Sequence, residues 1–358
     1  MPLDTLPAPL LQCESMRYVL ALMAIGGLAA CHSALAPAPE HGSEIDVRPI
    51  PLPGATGPVF LDYLASDRAS GRVWIPAGGT GTVVLYEVDS GTLRPISGFQ
   101  TREREIRGTR HLLGPSSATI ADALVYIGNR ADSSVCSIDS RTLVKGACVN
   151  LPSSPDGLQY IAATHEVWVT TPRAQSITIL DAANPAQLAI KSEIHLDGEP
   201  EGYAVDEAKG LFFTNLEDKD RTLAIDVRTH EVRNDWSAGC GSEGPRGLAL
   251  ERSRSWVFVA CTDSVTVVDP FHAGRRLAQL STGTGVDNID YLDSRQLLFV
   301  AAGNAAKLTI AKVSDTGDLS QVASVATVPG ARTVVVDASG AAYVIDPVHG
   351  QVLRAPAP

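Results

Sequence analysis

Pro200-Glu201-Gly202-Tyr203-Ala204-Val205-Asp206, followed by Gly210-Leu211-Phe212-Phe213-Thr214-Asn215 and then Leu223-Ala224-Ile225-Asp226, is the stretch that decides the fold. Each run is short, alternates apolar and polar side chains with a period of two, and ends at a turn former, which is the signature of three consecutive antiparallel strands. Working outward from Glu201, the same pattern opens at Asp62, Ser116, Asp156, Arg246, Asp287 and Arg332. The seven anchors are spaced by 54, 40, 45, 45, 41 and 45 residues. An aromatic follows 12 residues after the anchor in five units (Trp74, Trp168, Phe213, Phe258, Phe299), and 10 and 11 residues after it in the other two (Tyr126, Tyr343). A fixed offset between anchor and aromatic across seven units marks an internal repeat.

Each unit continues with a third alternating strand ending in aspartate, as in Val83 to Asp89, Val135 to Asp139, Ile177 to Asp181, Leu223 to Asp226 and Val265 to Asp269, and then a fourth. The terminal aspartates read as turn formers that bond their own backbone. Four short strands in 40–45 residues, repeated seven times, predict an all-β fold, a seven-bladed β-propeller with four-stranded blades. After Arg332 the chain has room for only three strands before Pro358. The segment Glu44-Ile45-Asp46-Val47-Arg48-Pro49-Ile50-Pro51-Leu52-Pro53 resembles the fourth strands elsewhere, such as Ile190 to Gly198, and is expected to complete blade seven. Closing the ring in this way removes the sheet edges that would otherwise pair with other chains.

The composition suits such a core and narrows the partners. With 44% apolar residues the chain buries a large interior, and 29 basic against 40 acidic residues give a net charge of −11, the wrong sign for neutralising phosphates over a broad surface. No nucleic-acid partner is expected, and the protein reads as a monomer. Ahead of the repeats, Arg17, the apolar run Tyr18 to Leu28 and Leu28-Ala29-Ala30-Cys31 resemble a bacterial lipoprotein signal peptide with its lipid-accepting cysteine. The run is too short to span a membrane. Met1 to Ser15 holds Asp4 and Glu14 and no base, so Met16 is the expected true start, which would leave Cys13 unmade. The expected organisation is a signal peptide over residues 1–30, a Pro-rich flexible tether over 31–43, and the propeller over 44–358. The lipoprotein resemblance implies lipidation at Cys31 and, because residue 32 is not aspartate, an outer-membrane anchor facing the periplasm.

The blade runs quoted above resemble the YVTN repeats of the YncE-like bacterial seven-bladed propellers over about residues 44–358. A second similarity, through Pro155-Asp156-Gly157 and Pro200-Glu201-Gly202, is to the calcium-dependent lactonase propellers related to gluconolactonase and regucalcin; the paired asparagine motifs of those enzymes have no clear match here.

Export permits disulfides. Setting aside Cys13 and Cys31, Cys136 and Cys148 sit on the third and fourth strands of blade two with the turn Ser140-Arg141-Thr142-Leu143 midway between them, so they can face each other across a hairpin. Cys240 enters blade five and Cys261 ends its second strand, two points on one face of a propeller. The expected bridges are Cys136–Cys148 and Cys240–Cys261.

First strands line the channel of a propeller, so the anchors ring one of its mouths. Asp62, Asp156, Glu201, Arg246, Asp287 and Arg332, with Asn288 beside them, are therefore the candidate ligand-binding residues; alternatively, opposite charges there offset one another at a wet channel. Further candidates on the same face are the loop residues Asn129-Arg130 and the charged loop Asn215 to Arg221. The long first spacing holds Thr101 to His111, an arginine-rich insert that either caps the mouth, meets an anionic partner, or is a surface flap held by its own Arg/Glu pairs. No Gly-x-Ser-x-Gly, His-Glu-x-x-His or phosphate-binding glycine loop occurs, and the eight histidines form no cluster, so catalytic residues are unassigned. Two functions follow as expectations. The first is an envelope-tethered module binding a small ligand or an envelope protein, with no cofactor. The alternative is a lactone or ester hydrolase whose calcium or other divalent metal is held by Asp62, Asp156, Glu201 and Asp287.

Overall fold

A computed structural model describes residues 45–106, 108–184 and 186–358. The readings of the signal peptide, the start at Met16, the tether, Cys13 and Cys31 lie outside these residues. Among them, no helix is long and apolar enough to cross a membrane.

Seven four-stranded antiparallel sheets form the blades. Blade four is representative, with Pro200–Asp206 innermost, then Leu211–Leu216, Arg221–Asp226 and Val232–Ser237 outermost. Blade seven is assembled from both parts of the chain. Val334–Val336, Ala342–Asp346 and Gln351–Ala355 are joined by Arg48–Pro51, in register from Arg48 opposite Arg354 to Pro51 opposite Gln351. Pro49 and Pro51 are tolerated in that strand because it is an edge and owes no hydrogen bond outward. The ring therefore closes as the sequence predicts.

Seven apolar clusters hold the ring, each built from two neighbouring blades, and one of them joins blade seven to blade one through Tyr343, Ile345 and Val352 against Leu61, Val73 and Ile75. Because every blade is covered on both faces, its middle strands are buried almost throughout rather than on one side. The repeat aromatics Trp74, Tyr126, Trp168, Phe213, Phe258, Phe299 and Tyr343 are all at most 2% exposed, which explains why their offset from the anchor is constant: each fills the same gap between blades. Burying one such ring contributes about 1.5–3 kcal/mol or more.

The inner strands of blades one, three and seven begin later than their anchors, at Ala65, Leu158 and Val334. Near the axis the blades converge and backbone groups bond sideways instead. The amides of Asp62 and Tyr63 both donate to the Ser116 carbonyl of blade two (2.9 and 3.1 Å), and the Asn288 amide donates to the Arg332 carbonyl (3.1 Å). That convergence requires glycine at the third position of the Pro-x-Gly runs. A Cβ on Gly202 would lie 2.2 Å from the Arg246 carbonyl oxygen, and one on Gly157 would lie 2.0 Å from the Tyr203 ring.

Four of the five strand-ending aspartates behave as turn formers; in blade one the strand is Val83–Glu87, and Asp89 accepts no hydrogen bond among the described residues. Asp139 accepts from the amides of Arg141 and Thr142, Asp226 from Arg228 and Thr229, Asp181 from Ala183, and Asp269 from Phe271. Both expected disulfides are present; Cys136 and Cys148 are directly opposed in the strand pairing.

Candidate functional site

The anchors meet around the channel mouth, but as a network rather than an open ring of acids. Arg130, from the loop between the second and third strands of blade two, reaches inward and pairs with both Asp62 and Asp156. Arg332 pairs with Asp62 at 2.8 Å and with Asp287 at 3.2 Å. Two guanidinium groups thus tie three carboxylates from blades one, three and six. Burial alone would raise the Asp62 pKa; the Arg130 and Arg332 guanidiniums outweigh it and hold the carboxyl below its usual range. The Asp287 carboxylate, followed by those of Asp62 and Glu201, in turn holds Arg332 firmly protonated against the cost of burial.

Arg246 stands apart from this network. It pairs with Glu217 and donates to the Glu243 carbonyl (3.1 Å), and is turned to the upper loops. Asn288 does not join the carboxylates; it lines the channel below them. Of the candidate loops, Asn129 is structural, its amide donating to the Gln100 carbonyl, while its neighbour Arg130 is the bridge at the mouth. The charged loop after Asn215 is largely tied down, with Glu217 on Arg246, Asp218 accepting the Glu199 amide, and Asp220 accepting the Cys240 amide.

Glu201 is the exception. No hydrogen bond or ion pair engages its carboxyl among the described residues, and its pKa is pushed up to about 7 by burial, then by the Asp287 and Asp62 carboxylates, with Arg130 and Arg332 only partly offsetting them. Beside it lie two tyrosines that the sequence reading passed over. Tyr63 from blade one and Tyr203 from blade four meet across the channel with ring centroids 5.2 Å apart. The Tyr203 hydroxyl accepts the Leu158 amide at 3.2 Å. Burial, then the Glu201 carboxylate, pushes the Tyr63 hydroxyl well above the ordinary phenol range, so it remains a neutral donor. A signal for Tyr203 does exist in the sequence: the equivalent positions in blades three, five, six and seven are Leu158, Leu248, Ile289 and Val334, so an aromatic there is out of pattern.

Below the tyrosines the channel widens into a cavity of about 500 Å³ lined by the inner strands of all seven blades. At its rim Arg68 donates to both oxygens of Asp290 at 2.8 Å and to the Val336 carbonyl at 3.1 Å. The arginine-rich insert is a two-stranded hairpin, Arg102–Ile106 paired with Thr109–Leu113. No ion pair forms within it among the described residues, although Glu105 and Arg110 are directly opposed. It encloses a second cavity of about 380 Å³ against Val59, Phe60, Pro347 and Val348; its His111 packs on Phe60, and the Arg130 guanidinium lies over the Phe60 ring, 5.5 Å from its centroid.

The alternative metal set is not assembled. Calcium takes six to eight oxygen ligands. Here Asp62, Asp156 and Asp287 face guanidinium groups, and among the described residues no group of three or more His, Cys, Asp or Glu side chains is placed to hold a metal ion. The residues present do not fit that ion.

No family model and no curated protein sequence matches the chain. Solved structures do. A chain of the mitotic checkpoint complex is 12% identical with a TM-score of 0.72, covering 96% of this chain and 99% of that one. Kuenenia stuttgartiensis hydrazine synthase is 13% identical with a TM-score of 0.69, covering 85% and 96%. Virginiamycin B lyase from Staphylococcus aureus is 12% identical with a TM-score of 0.66, covering 87% and 99%. These likenesses define the class, a seven-bladed β-propeller, and the fold alone is compatible with a binding or scaffold role.

Proposed function

We propose that this protein is an exported binding propeller, tethered to the cell envelope by lipid on Cys31, that holds a small ligand or a partner at the charged mouth and carries out no chemistry of its own. The observation supporting it is the mouth itself, where the buried Asp62 and Asp156, the half-buried Asp287 and two arginines fix the walls and leave the Glu201 carboxyl unengaged in the opening. Fixed, desolvated charge with one free group is what a recognition site needs, since the cost of ordering it is met before the ligand arrives. Export is supported by the two disulfides, which persist in oxidising compartments. The YncE-like resemblance suits an envelope module of this kind.

The test has two arms. The full-length chain, expressed in a bacterial envelope with Cys31→Ser beside the parent, is expected to shift from the membrane fraction to the soluble one; retention in membranes would remove the lipid anchor. For the mouth, ligand capture by the parent and by Glu201→Gln is compared. Undiminished capture by the variant would remove the mouth from the reading.

A further inference from the structure

The charges at the mouth do not balance. Asp62, Asp156, Glu201 and Asp287 face only Arg130 and Arg332, because Arg246 is spent on Glu217, so with Glu201 ionised the opening carries an excess of two negative charges. Two polar groups there also lack partners, one of them a fully buried atom. The Oδ2 atom of Asp156, a residue only 6% exposed, accepts no hydrogen bond. Tyr63, only 9% exposed, makes no hydrogen bond through its hydroxyl among the described residues, unlike Tyr203. An unpartnered polar group in a narrow channel is costly, and a ligand at the opening is the economical way to satisfy one it can reach.

We propose that the mouth recognises an organic cation, a primary or quaternary ammonium group seated against the Glu201 carboxylate and over the paired rings of Tyr63 and Tyr203. The inference rests on the reading of the mouth as a binding site and names the ligand class. The aromatic faces suit a weakly hydrated ammonium, which gains from ring quadrupoles once desolvated. An anion is disfavoured because both guanidinium groups are already committed, each to two carboxylates. A divalent metal is disfavoured because those same guanidiniums stand where its ligands should. The bound cation replaces the proton that Glu201 otherwise carries near neutral pH. The groups facing that carboxyl are Asp62, Asp156 and Asp287, Arg130 and Arg332, and the neutral Tyr63 and Tyr203; with a pKa of about 7, Glu201 titrates between pH 6 and 8. Binding of the cation therefore strengthens as pH rises through 7, by about tenfold between pH 6 and pH 8, following the ionised fraction of Glu201.

The experiment is calorimetric titration of the purified full-length chain with butylammonium, tetramethylammonium, butyrate and calcium chloride at pH 6, 7 and 8. One of the ammonium probes is expected to bind with that pH dependence, Glu201→Gln to weaken it at least tenfold with an unchanged circular dichroism spectrum, and Glu201→Asp to restore part of it. Failure of both ammonium probes to bind at millimolar concentration, a preference for butyrate or calcium, or unchanged affinity in Glu201→Gln each overturns the cation assignment. Loss of capture in Glu201→Gln in the preceding experiment, alongside such a failure, would leave the mouth as the site and discard only the ligand class. Undiminished capture would discard both.

Discussion

Acidic side chains recur at two positions of the repeat, and they act differently at each. Where third strands end, Asp139, Asp181 and Asp226 accept hydrogen bonds from amides two or three residues ahead, and nothing beyond the blade is involved. Where first strands begin, Asp62 reaches arginines from blades two and seven, the latter 270 residues away in the chain, and Asp156 meets Arg130 of blade two. The outer acids are wet and serve a turn; the inner ones are buried at a convergence of blades and serve one another's charges. An acid at a repeat position is therefore a local device at the rim and a shared one at the axis.

Four measurements would break or sharpen that contrast. The largest effect is expected from Arg130→Met, which leaves Asp156 buried without a counter-charge and Asp62 with Arg332 alone, at a cost of about 3–5 kcal/mol in urea unfolding at pH 7. The loss should shrink as the pH falls, because protonation removes the uncompensated buried charge. A loss below about 1 kcal/mol would place the inner acids with the outer ones.

Next comes the Cys136→Ser, Cys148→Ser double variant, a staple wholly inside one blade. Its removal is expected to cost about 2–4 kcal/mol by releasing the unfolded chain, with no effect on the mouth. Altered pH dependence of stability in this variant would show that blade and mouth are not independent.

Third is Glu201→Gln. A carboxyl whose folded pKa is raised to about 7 contributes stability fully present below the unfolded value near 4.5 and lost as pH rises through 7, so the parent is expected to weaken across that window. The glutamine variant removes the slope and should exceed the parent by about 1–3 kcal/mol at pH 8, at most marginally at pH 4.5. Parallel pH profiles would return Glu201 to the class of solvated acids. The smallest effect belongs to Asp181→Ala, expected to cost less than about 1 kcal/mol, since only a turn amide loses its partner and water replaces it.

Much of the fold was legible in the chain. The Asp156-to-Trp168 and Glu201-to-Phe213 offsets stated the blade; the missing fourth strand after Gln351 and the strand-like Glu44 to Pro53, of which Arg48–Pro51 pairs, stated the closure. The site was legible by position only. Asp62, Asp156, Asp287 and Arg332 were placed at the mouth and are there, but Arg246 turned to Glu217, and Arg130, named only as part of a loop, became the central bridge. Tyr63 was missed because it follows an anchor where other blades carry Ser117, Gly157, Gly202 or Gly247, with no aromatic period to flag it.

By itself the sequence determined what repeats: strand periods, blade number, ring closure, turn aspartates and the two cysteine pairs. These depend on contacts within one unit or at a fixed offset, and periodicity carries that information. Only the tertiary structure decided which guanidinium meets which carboxylate, that Tyr63 and Tyr203 touch across the channel, and that Glu201 is left over. Those contacts join different blades at the axis, where a side chain's partner depends on its direction and on the charges of every other blade, and no repeat pattern encodes either.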